Sequence, residues 1–267
     1  MRGAILVTLQ GNKAYCARAI FWFYASVVAI TFVNAQVANA IDLPTREASE
    51  SAIKAEHVAV DGSTVVSSLG DRSFDLNGTF SPYGDINDSG LRFRVAGNAS
   101  WYRFLTADNP RTFGTGHSVE GDLLAGYQIS LRRISIIGLI GGAFGESRDQ
   151  GVSRTSLGAK AVLSMYATPW EKTMAYSSLS YSTIANFLQF QTKGGVQLIG
   201  NFYTGPELGF SWRDVTPSFS NIAQARVGWH VSAMPFGPVH VGISGGWAHN
   251  RDLGSGYYGG LSFYGTF

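Results

Sequence analysis

Three things are scarce in this chain: cysteine, charge, and any long apolar run beyond its first 33 residues. A lone cysteine, Cys16, excludes a disulfide framework and a cluster of thiolate metal ligands. Only 14% of the 267 residues are charged, against roughly 25% in an ordinary soluble domain. A chain that is 45% hydrophobic and 13% aromatic is nonetheless far from the composition of a disordered one. Mean hydropathy is only +0.05, and no later apolar stretch approaches the ~20 residues that a helix needs to cross a bilayer. A helical membrane protein is therefore excluded. The five histidines are scattered without metal-ligand spacing, no glycine-rich loop is built to cradle phosphate, and basic residues form no run of the kind that marks a nucleic-acid footprint. No metal, no cofactor and no nucleic-acid partner is expected.

What is present begins with Arg2, Lys13 and Arg18, followed by the apolar run A-I-F-W-F-Y-A-S-V-V-A-I-T-F-V from Ala19 to Val33 and the small residues A-N-A at Ala38 to Ala40. That order predicts a secretory signal peptide over residues 1–40, cleaved after Ala40. The competing reading is a membrane anchor, for which about 15 apolar residues is short. Cleavage removes Cys16 and three of the 20 basic residues, leaving 17 against 18 acidic, so the formal +2 of the full chain says nothing about nucleic acid. Residues 41–56, polar and without periodicity, read as a periplasmic lead-in.

From His57 to Phe267 the pattern changes to period two. In L-R-F-R-V-A-G-N-A-S-W-Y-R, Leu91, Phe93, Val95, Ala99 and Trp101 share one face, while Arg92, Arg94, Asn98 and Ser100 share the other. In V-E-G-D-L-L-A-G-Y-Q-I-S-L, Val119, Leu123, Ala125, Tyr127, Ile129 and Leu131 oppose Glu120, Asp122, Gln128 and Ser130. Twelve such segments are predicted, at about 58–68, 73–84, 90–104, 117–131, 133–146, 153–167, 173–186, 189–199, 202–213, 219–233, 237–248 and 256–267. Ten or fourteen are compatible with the same pattern, because 133–146 is apolar on both faces. Many of the segments reach the roughly 9–11 residues of a tilted membrane-spanning strand, beyond the usual 5–6 of a soluble sheet. A soluble sandwich would alternate too, but the signal peptide, the strand lengths and the abundant aromatics favour an all-β fold: a transmembrane antiparallel up-and-down barrel in the outer membrane of a Gram-negative bacterium. An even strand number, both ends in the periplasm, short periplasmic turns and longer outer loops belong to that reading.

If Leu91, Tyr127 and Phe263 face lipid, the lumen holds Arg92, Arg94, Glu120, Asp122, Lys160, Lys193, Glu207, Arg213, Arg226 and His230. A hairpin loop centred near Thr216 and Pro217 sets Glu207 directly against Arg226, so an ion pair is expected there, with Lys193 diagonal to it. It reads either as a lining that selects solutes or as a ladder that fills a narrow barrel. No catalytic residues are expected. The H-V-S of His230 to Ser232 matches a His-x-Ser pair only in spelling, since parity turns it to the lumen, away from lipid substrate. In the last strand Tyr257, Leu261, Phe263 and Phe267 share a face, with Gly259 and Gly265 between. An alternating strand ending in aromatic Phe267 looks like the carboxy-terminal assembly signal read by the barrel-insertion machinery, which, with outer-membrane lipid, is an expected partner.

Several stretches resemble one family: Y-T-G-P-E-L-G-F at Tyr203 to Phe210, A-Q-A-R-V-G-W-H-V-S at Ala223 to Ser232, G-I-S-G-G-W, G-S-G-Y-Y-G-G-L-S-F, L-N-G-T-F and G-L-R-F-R-V-A-G. Across about Leu76 to Phe267 they are similar to the cellulose biosynthesis protein BcsS family of alphaproteobacteria. The resemblance implies an outer-membrane accessory protein of cellulose production or export, and the expectation built on it is a non-enzymatic barrel that assists cellulose or exopolysaccharide biosynthesis, secretion or surface attachment, with cellulose or its secretion components as partners. Phe187, Phe190, Phe219 and Trp247, in or beside outer loops, are candidate glucan-stacking aromatics, though an interfacial girdle accounts for them equally. A narrow solute channel and, more remotely, a barrel hydrolase are the alternatives.

Overall fold

The computed structural model describes residues 55–105, 112–149, 152–200, 202–214 and 222–267, so the expected signal peptide and most of the lead-in lie outside the described residues. Twelve strands follow in order: β1 (Val58–Ser67), β2 (Arg72–Phe80), β3 (Gly90–Leu105), β4 (Phe113–Leu131), β5 (Ile134–Asp149), β6 (Val152–Ala167), β7 (Thr173–Ser182), β8 (Phe187–Gln197), β9 (Tyr203–Arg213), β10 (Ile222–Phe236), β11 (Val239–Asn250) and β12 (Gly254–Thr266). Each pairs antiparallel with its sequence neighbours, and β1 closes on β12 in a complete ring. Closure leaves no unpaired sheet edge in the wall, the condition for a sheet to sit in hydrocarbon. The expected transmembrane barrel of twelve strands is the observed fold.

The outward face carries the apolar halves of the alternating segments: Leu91, Val95, Leu123, Tyr127, Ile140 and Leu261 are all exposed. Glycines let the wall close where backbone crowds, and a Cβ on Gly126 would stand 1.8 Å from the carbonyl oxygen of Gly138 on β5. Elsewhere an aromatic ring covers a glycine across the strand, as Phe263 does over Gly62 at the β1–β12 seam. The second apolar face of β5 turns inward, where Leu139 and Ala143 are buried, as is Leu124 of β4.

Three expectations about connections need correction. First, β2 stops at Phe80, short of residue 84, because Pro82 has no N–H for the ladder, and the chain turns back through Ser81–Ser89. That makes the β2–β3 connection long, although it lies at the rim that carries the chain ends, where short turns were expected. Second, β7 ends at Ser182, because Ala185 and Asn186 adopt positive φ (53° and 44°) in a single helical turn before β8. Third, β5 runs past residue 146 to Asp149: polar residues expected to form the connection before 153 continue the strand, and its partner β6 runs beside it from Val152. Loop length therefore does not alternate, and β3 to β6, with 16, 19, 16 and 16 residues, rise above strands such as β7 with 10.

The start of the described barrel and its last residue share one rim. The carbonyl oxygen of Phe267 accepts from the backbone amides of His57 (2.7 Å) and Val58 (2.9 Å), and the Phe267 amide donates to Val58 (2.8 Å).

Candidate functional site

The lumen contains the polar half of each alternating strand. Arg92, Glu120, Asp122, Glu207 and His230 are all buried there, and Arg94 donates through Nε to Thr79 Oγ1 at 2.9 Å. The expected Glu207–Arg226 register is corrected. β9 and β10 start pairing at Arg213↔Ile222, so Glu207 opposes Gly228 and Arg226 opposes Gly209. The loop is centred one residue later than supposed, which moves every partner by two positions and, two being the strand period, keeps both side chains on the lumen face. Lys193, expected to be diagonal, is instead directly opposite Glu207 across β8–β9, with Nζ 3.3 Å from Oε2. Arg226 is the diagonal neighbour, its guanidinium 5.5 Å from the centre of the Tyr258 ring. Tyr258 in turn donates its hydroxyl to Glu207 Oε1 at 2.6 Å. A double-mutant cycle checks the corrected pairing: Glu207→Gln with Lys193→Met is expected to couple by about 1–2 kcal/mol, more than Glu207→Gln with Arg226→Met. Equal couplings would reinstate the other register.

A second cluster joins β4, β6 and β7. Lys160 Nζ lies 3.0 Å from Glu120 Oε1 and 2.6 Å from Asp122 Oδ2, while Ser182 Oγ donates to Glu120 Oε2 at 3.0 Å. Two carboxylates share one ammonium, with a hydroxyl serving a free lone pair, which is the arrangement that makes buried charge tolerable.

At the rim of the chain ends, Arg92 is fully buried and holds the Ser81–Ser89 turn inward. Its Nε donates to Gln128 Oε1 (3.3 Å), Nη1 to Ser81 Oγ (2.9 Å) and to the Leu91 carbonyl (2.8 Å), and Nη2 to the carbonyls of Asp85 (3.2 Å), Ile86 (3.0 Å) and Asp88. The turn is also tied to the incoming chain, since the Glu56 amide donates to Asp85 Oδ2 at 2.9 Å. These amides, with that of Asn87 foremost, hold the Asp85 carboxyl below the usual carboxylate range.

The opposite rim is crossed by Arg213. It leaves β9 and reaches the far side of the ring, where Nη1 donates to Ser118 Oγ (2.7 Å) on β4 and Ser100 Oγ (3.2 Å) on β3. Its guanidinium lies 4.4 Å from the ring centre of Phe187 and 5.1 Å from that of Tyr102. Tyr102 donates its hydroxyl to Asp149 Oδ1 at 2.7 Å, and Phe104 beside it has no exposed surface. Between the two closures lies a polar cavity of about 30 Å³, lined by Asp75, Gln189, Gln191, Lys193, Glu207 and Arg226 among others. On a scale where one water needs roughly 10–15 Å³, it holds about two.

Both ring nitrogens of His230 and the Ser232 hydroxyl are buried without a hydrogen-bond partner, so the two side chains are not bonded to each other. Among the described residues no group of His, Cys, Asp or Glu is arranged to hold a metal ion. Of the aromatics picked for glycan contact, Phe187 belongs to the lumenal closure and Phe190 follows the outward parity of β8. Trp247 is exposed on the outer wall, stacked on His249 at 5.5 Å, and Phe219 lies outside the described residues. The sequence reading missed Tyr102, Asp149, Ser182 and Tyr258. Parity places all four on the lumen face; the tyrosines were passed over because aromatics were assigned to lipid. Tyr257, Leu261, Phe263 and Phe267 stand on the outward face as expected, Tyr257 being 75% exposed.

The profile of the family described as cellulose biosynthesis protein BcsS matches residues 71–267. No curated protein matches the chain. Among solved structures, the beta domain of the Bordetella autotransporter Brka is similar at 10% identity and a TM-score of 0.45, over 80% of this chain and 100% of that one. KdgM porin follows at 8% identity and 0.41, over 78% and 99%. The transport unit of the autotransporter AIDA-I from Escherichia coli gives 9% and 0.37, over 88% and 97%. Likeness at these levels carries no argument about what this chain does. The family match is of another kind, since it takes in all of β2 to β12, and by it the chain belongs to the cellulose biosynthesis protein BcsS family.

Proposed function

We propose that this barrel is a non-enzymatic outer-membrane component of cellulose production that serves secretion or surface attachment of the polymer from its rims and wall, not through its lumen. The rim of the chain ends, with the Ser81–Ser89 turn, then faces the periplasm, and the Arg213 closure faces the exterior. Family membership supports the link to cellulose and to components of its secretion. The observation that carries the rest is the crossed lumen. Arg213 bridges opposite walls, and the polar cavity beneath it, of about 30 Å³, has room for water-sized guests. Small barrels are ordinarily filled by their own side chains.

Deletion of the gene is expected to reduce cellulose at the cell surface, read by dye binding, while the purified barrel in planar bilayers gives no steady conductance. Unchanged surface cellulose would overturn the proposal, and steady conductance by the unaltered protein would install a narrow solute channel, the reading favoured by the polar lining of the cavity. The closures are tested together by Arg213→Ala and Tyr102→Ala combined with Arg92→Ala, which removes both and is expected to give discrete conductance steps where the parent gives none. Fractionation with heated and unheated gels checks the location: an outer-membrane band whose mobility changes on boiling is expected.

A further inference from the structure

Basic residues that are scattered along the sequence are brought together on the outward wall by strand register. Arg72 of β2 pairs with Trp101 of β3, Trp101 with His117 of β4, and His117 with Arg148 of β5. The four side chains thus form one row across four strands, on the face that carries Phe74, Val95, Leu123 and Phe144. Arg103, two residues beyond Trp101, joins them, with its guanidinium 4.8 Å from the ring centre of Phe113 and its stem against Gly70. Arg72 and Arg148 are exposed. Glu146 is the acid on this face, and it accepts a hydrogen bond from Ser153 Oγ. Among the described residues no ion pair engages Arg72, Arg103 or Arg148.

The height of the row gives it meaning. Below it, the outward residues of β3 run Ala99, Gly97, Val95, Phe93, Leu91, and those of β4 run Val119, Gly121, Leu123, Ala125, Tyr127, with no charge. From Leu91 to Ala99, about nine residues at ~3.4 Å each and a tilt near 40° span roughly 23 Å, close to the ~25 Å apolar band of such barrels. Trp101 therefore stands at the first level beyond hydrocarbon, at the rim away from the chain ends, and with the same tilt the row runs obliquely, its two ends roughly 9 Å apart in height. Further round the wall, four strands carry an outward aromatic toward this rim: Tyr181 on β7, Trp212 on β9, Trp247 on β11 and Tyr257 on β12. An interfacial girdle explains aromatics at this level but not three arginines on one side of it.

We propose that the outward face of β2 to β5 at this rim binds the phosphates of a phosphorylated glycolipid of the outer leaflet. The row from Arg72 to Arg148 covers three strand spacings, about 14 Å, which suits a disaccharide-sized headgroup with a phosphate at each end. Guanidinium groups bind phosphate oxygens by paired hydrogen bonds, and His117 and the Trp101 ring fill the space between the two ends. Acyl chains of the same lipid lie along the apolar rows below. The inference rests on the outer-membrane orientation given above and not on the role in cellulose production.

The test is lipid retention by the full mature barrel in phosphatidylcholine vesicles containing bis-phosphorylated lipid A, or lipid A stripped of phosphate, counted by native mass spectrometry after detergent extraction. The unaltered barrel is expected to retain the phosphorylated form preferentially. Each arginine near a charged membrane surface contributes roughly fivefold, so Arg72→Gln, Arg103→Gln and Arg148→Gln together are expected to lower retention by about a hundredfold while the band remains heat-modifiable. His249→Gln, on the aromatic side, is expected to change nothing. Equal retention of the two lipid forms, or equal retention by the triple variant, would overturn the site. A barrel that holds phosphorylated lipid while deletion leaves cellulose untouched would keep this inference and discard the functional one. If the triple variant fails to fold, Arg148→Gln alone must still lower retention of the phosphorylated form or the site is refuted.

Discussion

Arg92→Ala is expected to lower the thermal unfolding transition of the detergent-solubilised barrel by on the order of 10 °C, more than any exposed arginine replaced in the same way. The guanidinium is wholly buried and its donors serve the carbonyls of Leu91, Asp85, Ile86 and Asp88 together with Gln128 and Ser81. Removing it leaves those acceptors without their donor in a place that water enters poorly, a loss of about 3–5 kcal/mol. For a chain of this size each kcal/mol corresponds to roughly 2–4 °C. Arg92→Lys is expected to recover little, because an ammonium cannot present donors to carbonyls on both sides of the turn at once. A loss no larger than that of Arg72→Ala would show that the turn does not depend on Arg92. The same turn carries a pH signature. Since the folded Asp85 carboxyl is held below its ordinary value by the Asn87 and Glu56 amides, its contribution is complete above the ordinary carboxylate value and disappears as pH falls through the lowered one. Asp85→Asn is expected to flatten that acid limb by lowering stability above it to the level the parent keeps below it.

Lys160→Met should produce a loss of comparable size by the opposite route, leaving anions instead of acceptors unpaired. Glu120 is 8% and Asp122 2% exposed, and both face the single ammonium of Lys160. Breaking a buried pair by removing one partner costs about 3–5 kcal/mol, whereas replacing every member by neutral groups is close to neutral. The variant carrying Glu120→Gln and Asp122→Asn as well as Lys160→Met is therefore expected to regain most of the lost stability, read by urea unfolding in vesicles. A triple variant no more stable than Lys160→Met would mean that the lysine acts through its methylene packing and that the charges are incidental.

Much of this was legible in the sequence because a strand has a period of two. Once Leu91, Tyr127 and Phe263 were assigned to lipid, the lumen positions of Arg92, Glu120, Glu207 and His230 followed by parity, and parity survives an error in loop length of the kind that misplaced Arg226. Who meets whom did not follow. Pairing depends on the sum of two residue numbers, so one residue of uncertainty in a turn exchanges Arg226 for Lys193 as the partner of Glu207. Contacts between strands distant in the ring, such as Arg213 with Ser100 and Ser118, depend on the curvature of the wall and leave no mark in any local pattern. The β2–β3 turn was misjudged for a related reason: a short turn was expected between residues 84 and 90, whereas the longer connection gives the carbonyls of Asp85, Ile86 and Asp88 to the buried Arg92 guanidinium. The row of Arg72, His117 and Arg148 is the same lesson on the outer wall, since charges far apart in the chain become neighbours only once the register is known.

The β1–β12 seam gives the barrel a clock. Eleven of its strand contacts join consecutive strands, each able to zip from its own connection, but the twelfth brings Ala59 to Thr266 across nearly the whole described chain. The entropy of closing so long a loop is lost before any seam hydrogen bond is gained. Refolding into vesicles should then show two phases, a fast gain of strand signal from hairpins and a slower appearance of the heat-resistant form as the seam locks. Until that second event, the amides of Val58 and Phe267 have no partners in the membrane, and an open ribbon with two bare edges is the species most exposed to aggregation.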